Sequence, residues 1–155
     1  MLERVIERTL LSKVDQVVVA SPHDLEITLD VPTFIGDEQD VLKRYYDCAT
    51  FFGADIVVRI TSDCPLIDSK IIDYAIDYFS DNQFNLPYIC LAPVDGLDVE
   101  VFTYELLKEA HKNAKTKEDR EHVTPYMKRK TKISVDDLQT LKKVRKIWSG
   151  RIKQS

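Results

Sequence analysis

Apolar residues along this chain alternate between helical spacing and short β-branched runs. Leu2, Val5, Ile6 and Leu10 share one face of a helix expected from about residue 2 to residue 12. DQVVVASP follows, a β-branched run closed by Ser21-Pro22, which predicts a buried strand ending in a loop. A second short strand is expected from Thr33 to Ile35, stopped at Gly36. Val41, Leu42, Tyr45, Ala49 and Phe52 form the stripe of the next helix, with Asp37 as its expected cap and Gly53 as its C-terminal stop. ADIVVRIT is too apolar for one wet face and predicts a strand covered on both sides.

Asp68 can cap a further helix, whose stripe is Ile71, Ile72, Ala75, Ile76 and Phe79. Asp95-Gly96 is a turn dipeptide leading into LDVEVF, where Leu97, Val99 and Val101 alternate with Asp98, Glu100 and Phe102. Thr103 can cap a helix running to about Ala114, and the charged segment KEDREHVTPYMKRK comes next. Ser134 or Asp136 can cap a last helix built on Leu138, Leu141, Val144 and Trp148. Strands alternating with helices through short loops read as α/β, with a mostly parallel sheet and helices on both faces. In such sheets ligands bind beyond the carboxyl ends of the strands.

Composition narrows the picture without changing it. A length of 155 residues, 44% of them hydrophobic, supports one domain over 1–155. No repeat, linker or boundary divides it. The 22 basic and 26 acidic residues give a net charge of -4, which argues against nucleic acid as the main partner. No apolar run approaches the roughly 18 residues of a membrane span, and MLERVIERTLL carries acids that a signal peptide avoids. A soluble, cytoplasmic protein is expected. Cys48, Cys64 and Cys90 are widely spaced and odd in number, so neither a disulfide framework nor a zinc site is indicated.

Candidate chemistry centres on carboxylates. Asp63 follows the end of a strand, where it could hold a hard cation such as Mg2+, or could simply shape a turn with Pro65. Asp98 and Glu100 project to one side at period two, facing either a polar ligand or water. Asp136 opens a helix, where an acid is stabilising on dipole grounds alone. His23, His111 and His122 lack metal-ligand spacing. Arg59, inside an apolar strand, must find a carboxylate or a ligand, and a structural ion pair is the simpler expectation.

Several segments resemble the cytidylyltransferases of the spore-coat polysaccharide type, relatives of the acylneuraminate and Kdo CMP-transferases. The matching pieces, in the family's order, are MLERVIERTLLSK with DQVVVAS, GDEQDVLKRYYDCATFFGADIVVRITSDCPLID, DGLDVEVFTYELL, REHVTPY and SVDDLQTLKKVRKIW. The resemblance implies a reduced Rossmann-like nucleotidyltransferase fold, a GT-A-like three-layer sandwich. It also implies transfer of CMP from CTP to a sugar with Mg2+, releasing pyrophosphate. By resemblance Asp63 and Asp136 are the metal acids, while Asp95, Asp98, Glu100, Arg120, Glu121 and His122 fall on the sugar side. No catalytic residue is assigned.

The departures from the family pattern matter equally. Family members carry a strand and a QARMGSTRLPGK-type triphosphate loop before the helix that starts here at Met1, and PHDLEITLDVP and MKRKTKI are shortened connections. VDDLQT replaces the family's VDTPED. A nucleoside triphosphate brings a charge of about -4, and losing one preorganised donor costs about 10^2 to 10^3 in rate. This chain alone is therefore expected to be a weak or inactive transferase. A catalytically silent sugar- or metal-binding module is the alternative, and a homodimer covering exposed strand edges is expected in either case.

Overall fold

The computed structural model describes residues 1–82, 86–92 and 96–131. Asp95, Asp136 and the last expected helix lie outside the described residues. In chain order the elements are α1 (Leu2–Leu10), β1 (Val19–Ser21), β2 (Thr33–Ile35), α2 (Val41–Phe52), β3 (Ile56–Arg59) and α3 (Ser69–Asn82). They are followed by β4 (Tyr88–Leu91), β5 (Val99–Thr103), α4 (Tyr104–Asn113), α5 (Lys117–His122) and α6 (Pro125–Thr131).

Local chemistry accounts for several of the element ends. The Thr103 hydroxyl accepts from the Leu106 amide at 3.2 Å and caps α4 as expected. Gly53 closes α2 in the left-handed region at φ 65°, a conformation that costs a side-chain-bearing residue about 1–2 kcal/mol. The cap at the other end of α2 is Asp40 rather than Asp37. Asp37 instead folds back on the amides of Gln39 and Asp40 in a local turn, which places Asp40 one step before the helix.

β1 and β2 pair in parallel, with Val19 opposite Thr33 and Ser21 opposite Ile35. The second sheet has the order β3-β5-β4, in which β5 is reversed, so β3 and β4 run the same way. Strand alternation divides the interior into two cores. Val58, Ile89, Leu91, Val99 and Val101 face Ile71, Ile72, Ala75 and Phe79 of α3, with Val5 of α1. Val57, Tyr88, Cys90 and Phe102 face Leu42, Leu106, Leu107 and Met127 of α2, α4 and α6. Helices thus cover both sides of the sheet in three layers, and the fold is the Rossmann-like α/β class expected from the sequence.

Other expectations change as well. Among the described strands one pairing is parallel and two, both made by β5, are antiparallel, where the sequence predicts a mostly parallel sheet. The run Asp15–Ala20 gives a strand only over its last residues, and it is half-buried. β3 is likewise half-buried, with Ile56 exposed, because it lies at the end of its sheet as described and no strand there covers its outer edge. LDVEVF has no wet face over β5, where every residue from Val99 to Phe102 is buried between the two cores. No helix among the described residues is long and apolar enough to cross a membrane.

Candidate functional site

Register brings charge into the middle of this sheet. Arg59 of β3, Glu100 of β5 and Cys90 of β4 stand opposite one another in one cross-strand row. Side chains directly opposite across a ladder are in reach of each other, and Arg59 forms an ion pair with Glu100 Oε2. Its guanidinium also lies 5.6 Å over the Tyr45 ring of α2. Arg59 therefore meets the need for a counter-ion that its apolar strand imposes.

Glu100 is 4% exposed and collects donors from four segments. Besides Arg59, it accepts from the Tyr88 hydroxyl at 2.8 Å and the Thr124 hydroxyl at 2.9 Å, and Lys128 Nζ lies at 3.1 Å. Burial pushes its carboxyl up, but Arg59, Tyr88, Lys128 and Thr124 together outweigh burial and hold it below its ordinary range. The same surroundings act oppositely on Tyr88, whose hydroxyl is raised by burial and by the Glu100 charge, so it remains a donor.

Above this row opens a cavity of about 410 Å3 lined by Arg59, Thr61, Cys90, Asp98, Glu100, His122, Thr124 and Lys128, among others. It lies beyond the carboxyl end of β3 and is closed by the α5–α6 connection. Of the residues expected on the sugar side, the structure brings Asp98, Glu100 and His122 together here. Glu121 is exposed and does not line the cavity. Arg120 is turned elsewhere, with Nε 3.0 Å from both Asp40 oxygens, Nη2 2.5 Å from Oδ2, and Nη1 donating to the His111 carbonyl at 2.8 Å.

Sequence reasoning passed over Tyr88, Thr124 and Lys128. Thr124 lies within the singled-out REHVTPY and Lys128 two residues after it, but only the fold shows that they meet Glu100. A larger depression of about 670 Å3 between α4 and the end of α6 holds none of the expected residues.

Asp63 is exposed in the turn after β3, and its carboxylate accepts from Thr61, which lines the cavity. That hydrogen bond holds the Asp63 carboxyl below its ordinary range, so it is ionised at neutral pH. Mg2+ keeps several waters and is commonly held by one or two carboxylates together with substrate phosphates. A single ionised, exposed carboxylate, one hydrogen bond from a residue that lines the cavity, fits that mode. A closed cage does not fit, since no group of three His, Cys, Asp or Glu among the described residues could hold a metal.

The family model described as cytidylyltransferase matches residues 1–146. An uncharacterized protein of Methanocaldococcus jannaschii is 41% identical over 127 residues, covering 81% of this chain and 50% of that protein. The spore coat polysaccharide biosynthesis protein SpsF of Bacillus subtilis is 30% identical over 96 residues, covering 61% and 40%. This chain thus spans half or less of the length of these relatives. Among solved structures, a cytidylyltransferase from Leptospira borgpetersenii superposes with a TM-score of 0.74 at 34% identity, over 84% of this chain and 60% of that one. A CMP:2-keto-3-deoxy-manno-octonic acid synthetase complexed with CTP shares the fold, with a TM-score of 0.63 at 13% identity over 97% and 88%.

Proposed function

Because this chain belongs to the cytidylyltransferase family, we propose that it supplies the sugar side of a CTP-dependent transfer of CMP to a sugar. The observation that carries this reading is the convergence of Thr61, Asp98, Glu100, His122 and Lys128 on one cavity, one hydrogen bond from Asp63. In such a reaction a sugar hydroxyl attacks the α-phosphate in line, and catalysis rests on positioning and charge stabilisation. The cavity holds the sugar, with Asp98 and His122 facing it. Asp63 and, by the resemblance, Asp136 would hold Mg2+, which would offset charge on the phosphate oxygens. We infer a cytoplasmic location from the use of CTP in such a reaction.

Turnover by these 155 residues alone is expected to be low. The cations lining the cavity, Arg59 and Lys128, both face Glu100. Among the described residues that leaves little uncommitted positive charge for a triphosphate of about -4. Binding is therefore the first test. Thermal unfolding is followed with CTP or ATP, each with and without Mg2+. A ligand at 100 times its Kd stabilises by about 2.7 kcal/mol, a shift of several degrees for a domain this size. A rise specific to CTP and dependent on Mg2+ is expected. An unchanged Tm in all four conditions refutes the nucleotide assignment.

A further inference from the structure

α5 and α6 are joined through a residue whose backbone is strained. Val123 has φ 71° and ψ -54°, a conformation that a β-branched side chain avoids. The Thr124 amide donates to the His122 carbonyl at 2.8 Å, so residues 122–124 form a γ-turn of the rare, positive-φ kind. Among the described residues Val123 is the only non-glycine with positive φ.

The neighbours explain why the strain falls there. α5 is tied down on all sides: Thr116 caps it, its Arg120 pairs with Asp40, and Arg129 of α6 reaches its Asp119. α6 starts at Pro125, and the residue before a proline is driven to extended backbone. Thr124 is fixed further by its hydroxyl, which donates to Glu100 Oε1 at 2.9 Å, and by its carbonyl, which accepts from the Lys128 amide. The reversal between the helices is left to Val123. Its side chain is fully buried in the core of Leu106, Leu107 and Met127, which offsets the strain.

Strained backbone persists only where the surroundings over-determine it, and it gathers at functional sites. Here the residues on both sides of the turn, His122 and Thr124, line the cavity, while Val123 itself does not. A glycine would adopt this conformation without strain but would hold it loosely, with no side chain in the core. The buried valine anchors it. We propose that Val123 is a positioning residue of the cavity: its γ-turn holds His122 at the cavity wall and Thr124 on Glu100. This rests on reading the cavity as the binding site of the proposed function.

The test compares the full chain as wild type, Val123→Ala and Val123→Gly. Both variants lose the buried isopropyl group, and they differ in strain and freedom at one backbone position. Without strain, Val123→Gly should unfold about 3–7 °C below Val123→Ala, from its freer unfolded chain and the lost methyl. With strain, it should unfold within about 2 °C of Val123→Ala or above it. Titration of the Glu100 carboxyl by carbon NMR reads the positioning without any ligand. In Val123→Gly the turn no longer holds Thr124 on Glu100, so that carboxyl should titrate at higher pH than in Val123→Ala. Binding of glucose and glucuronate is followed by ligand-observed NMR, and whichever binds the wild type should bind Val123→Gly about threefold or more weakly than Val123→Ala. CTP with Mg2+ is run in parallel on the wild type.

A glycine variant several degrees below the alanine variant overturns the proposal, as does a Glu100 titration identical in the two. The wild type supplies a check that needs no variant to fold. Its Thr124 amide should exchange as slowly as the amides inside α4, and fast exchange would mean an open turn and overturn the proposal too. The two readings can fail separately. A wild type that binds neither sugar and shows no CTP shift removes the proposed function, while the turn is still judged on Tm, Glu100 and exchange. A CTP shift with identical Glu100 titrations in the two variants removes the inference alone.

Discussion

Glu100 can remain ionised while buried only because its partners compensate for lost water, and this makes it the residue whose replacement tells most about the sheet. Glu100→Ala leaves the mostly buried Arg59 without its counter-ion, a change expected to cost about 3–5 kcal/mol in urea unfolding. A loss under 1 kcal/mol would show that the pair is not needed. The pH dependence follows from the lowered carboxyl. Glu100 binds its proton less readily in the folded state than at the ordinary 4.5, so the unfolded chain holds more protons in the window below that value. Its contribution is full above about pH 4.5 and is lost as pH falls through the folded value. Asp40 and Asp119 are lowered too and share this acid limb, so the diagnostic quantity is the difference between wild type and Glu100→Gln. That difference should shrink as pH drops below 4.5, and curves that stay parallel to pH 3 would contradict the assignment.

At the scale of elements, α2 is held by its ends. Asp40 accepts from the Lys43 amide at 2.9 Å as the helix cap and pairs with Arg120 of α5, so one side chain both starts a helix and ties it to another. A double-mutant cycle of Asp40→Ala and Arg120→Ala should show a coupling of about 0.5–3 kcal/mol, whereas additive losses would mean that the pair is incidental. Gly53→Ala, at φ 65°, should cost about 1–2 kcal/mol by the same urea measurement. The stripes of α2 and α3, the Gly53 stop and the Thr103 cap were legible because each depends on residues a few positions apart. β4 was not, since Tyr88–Leu91 is a four-residue apolar run with no period to read. α5 and α6 were missed for a different reason. They are short and highly charged, and what fixes them is distant: Arg129 reaches back to buried Asp119, and Arg120 reaches Asp40. The cavity divides along the same line. Asp98 and Glu100 stand out by their period-two spacing and, with His122, by motif resemblance, while Tyr88, Thr124 and Lys128 meet Glu100 only where β4, β5 and α6 come together.

The whole molecule carries an imbalance between its two sheet ends. β4, at one end of its sheet as described, is mostly buried, whereas β3 at the other is half-buried from Val57 to Arg59 with Ile56 exposed. The outer edges of β1 and β3 pair with no strand among the described residues. Edge strands usually carry a lysine, a proline or a bulge that discourages pairing. β3 has none of these, and its one charge, Arg59, is spent inward on Glu100. Phe51 and Ile35 are also exposed, at 74% and 56%. An undefended β-branched edge and exposed apolar side chains favour association of two copies across a symmetric interface, the commonest arrangement of soluble oligomers. Light scattering at micromolar concentration should therefore give twice the chain mass of 17.9 kDa. Ile56→Lys places a charge on the exposed start of β3, away from Glu100 and the cavity, and should return the mass to that of one chain without lowering Tm beyond what dissociation itself removes. A monomeric wild type would mean that the β3 edge is tolerated as it stands. A dimer that survives Ile56→Lys would place the contact elsewhere, with the exposed Phe51 as the next position to charge.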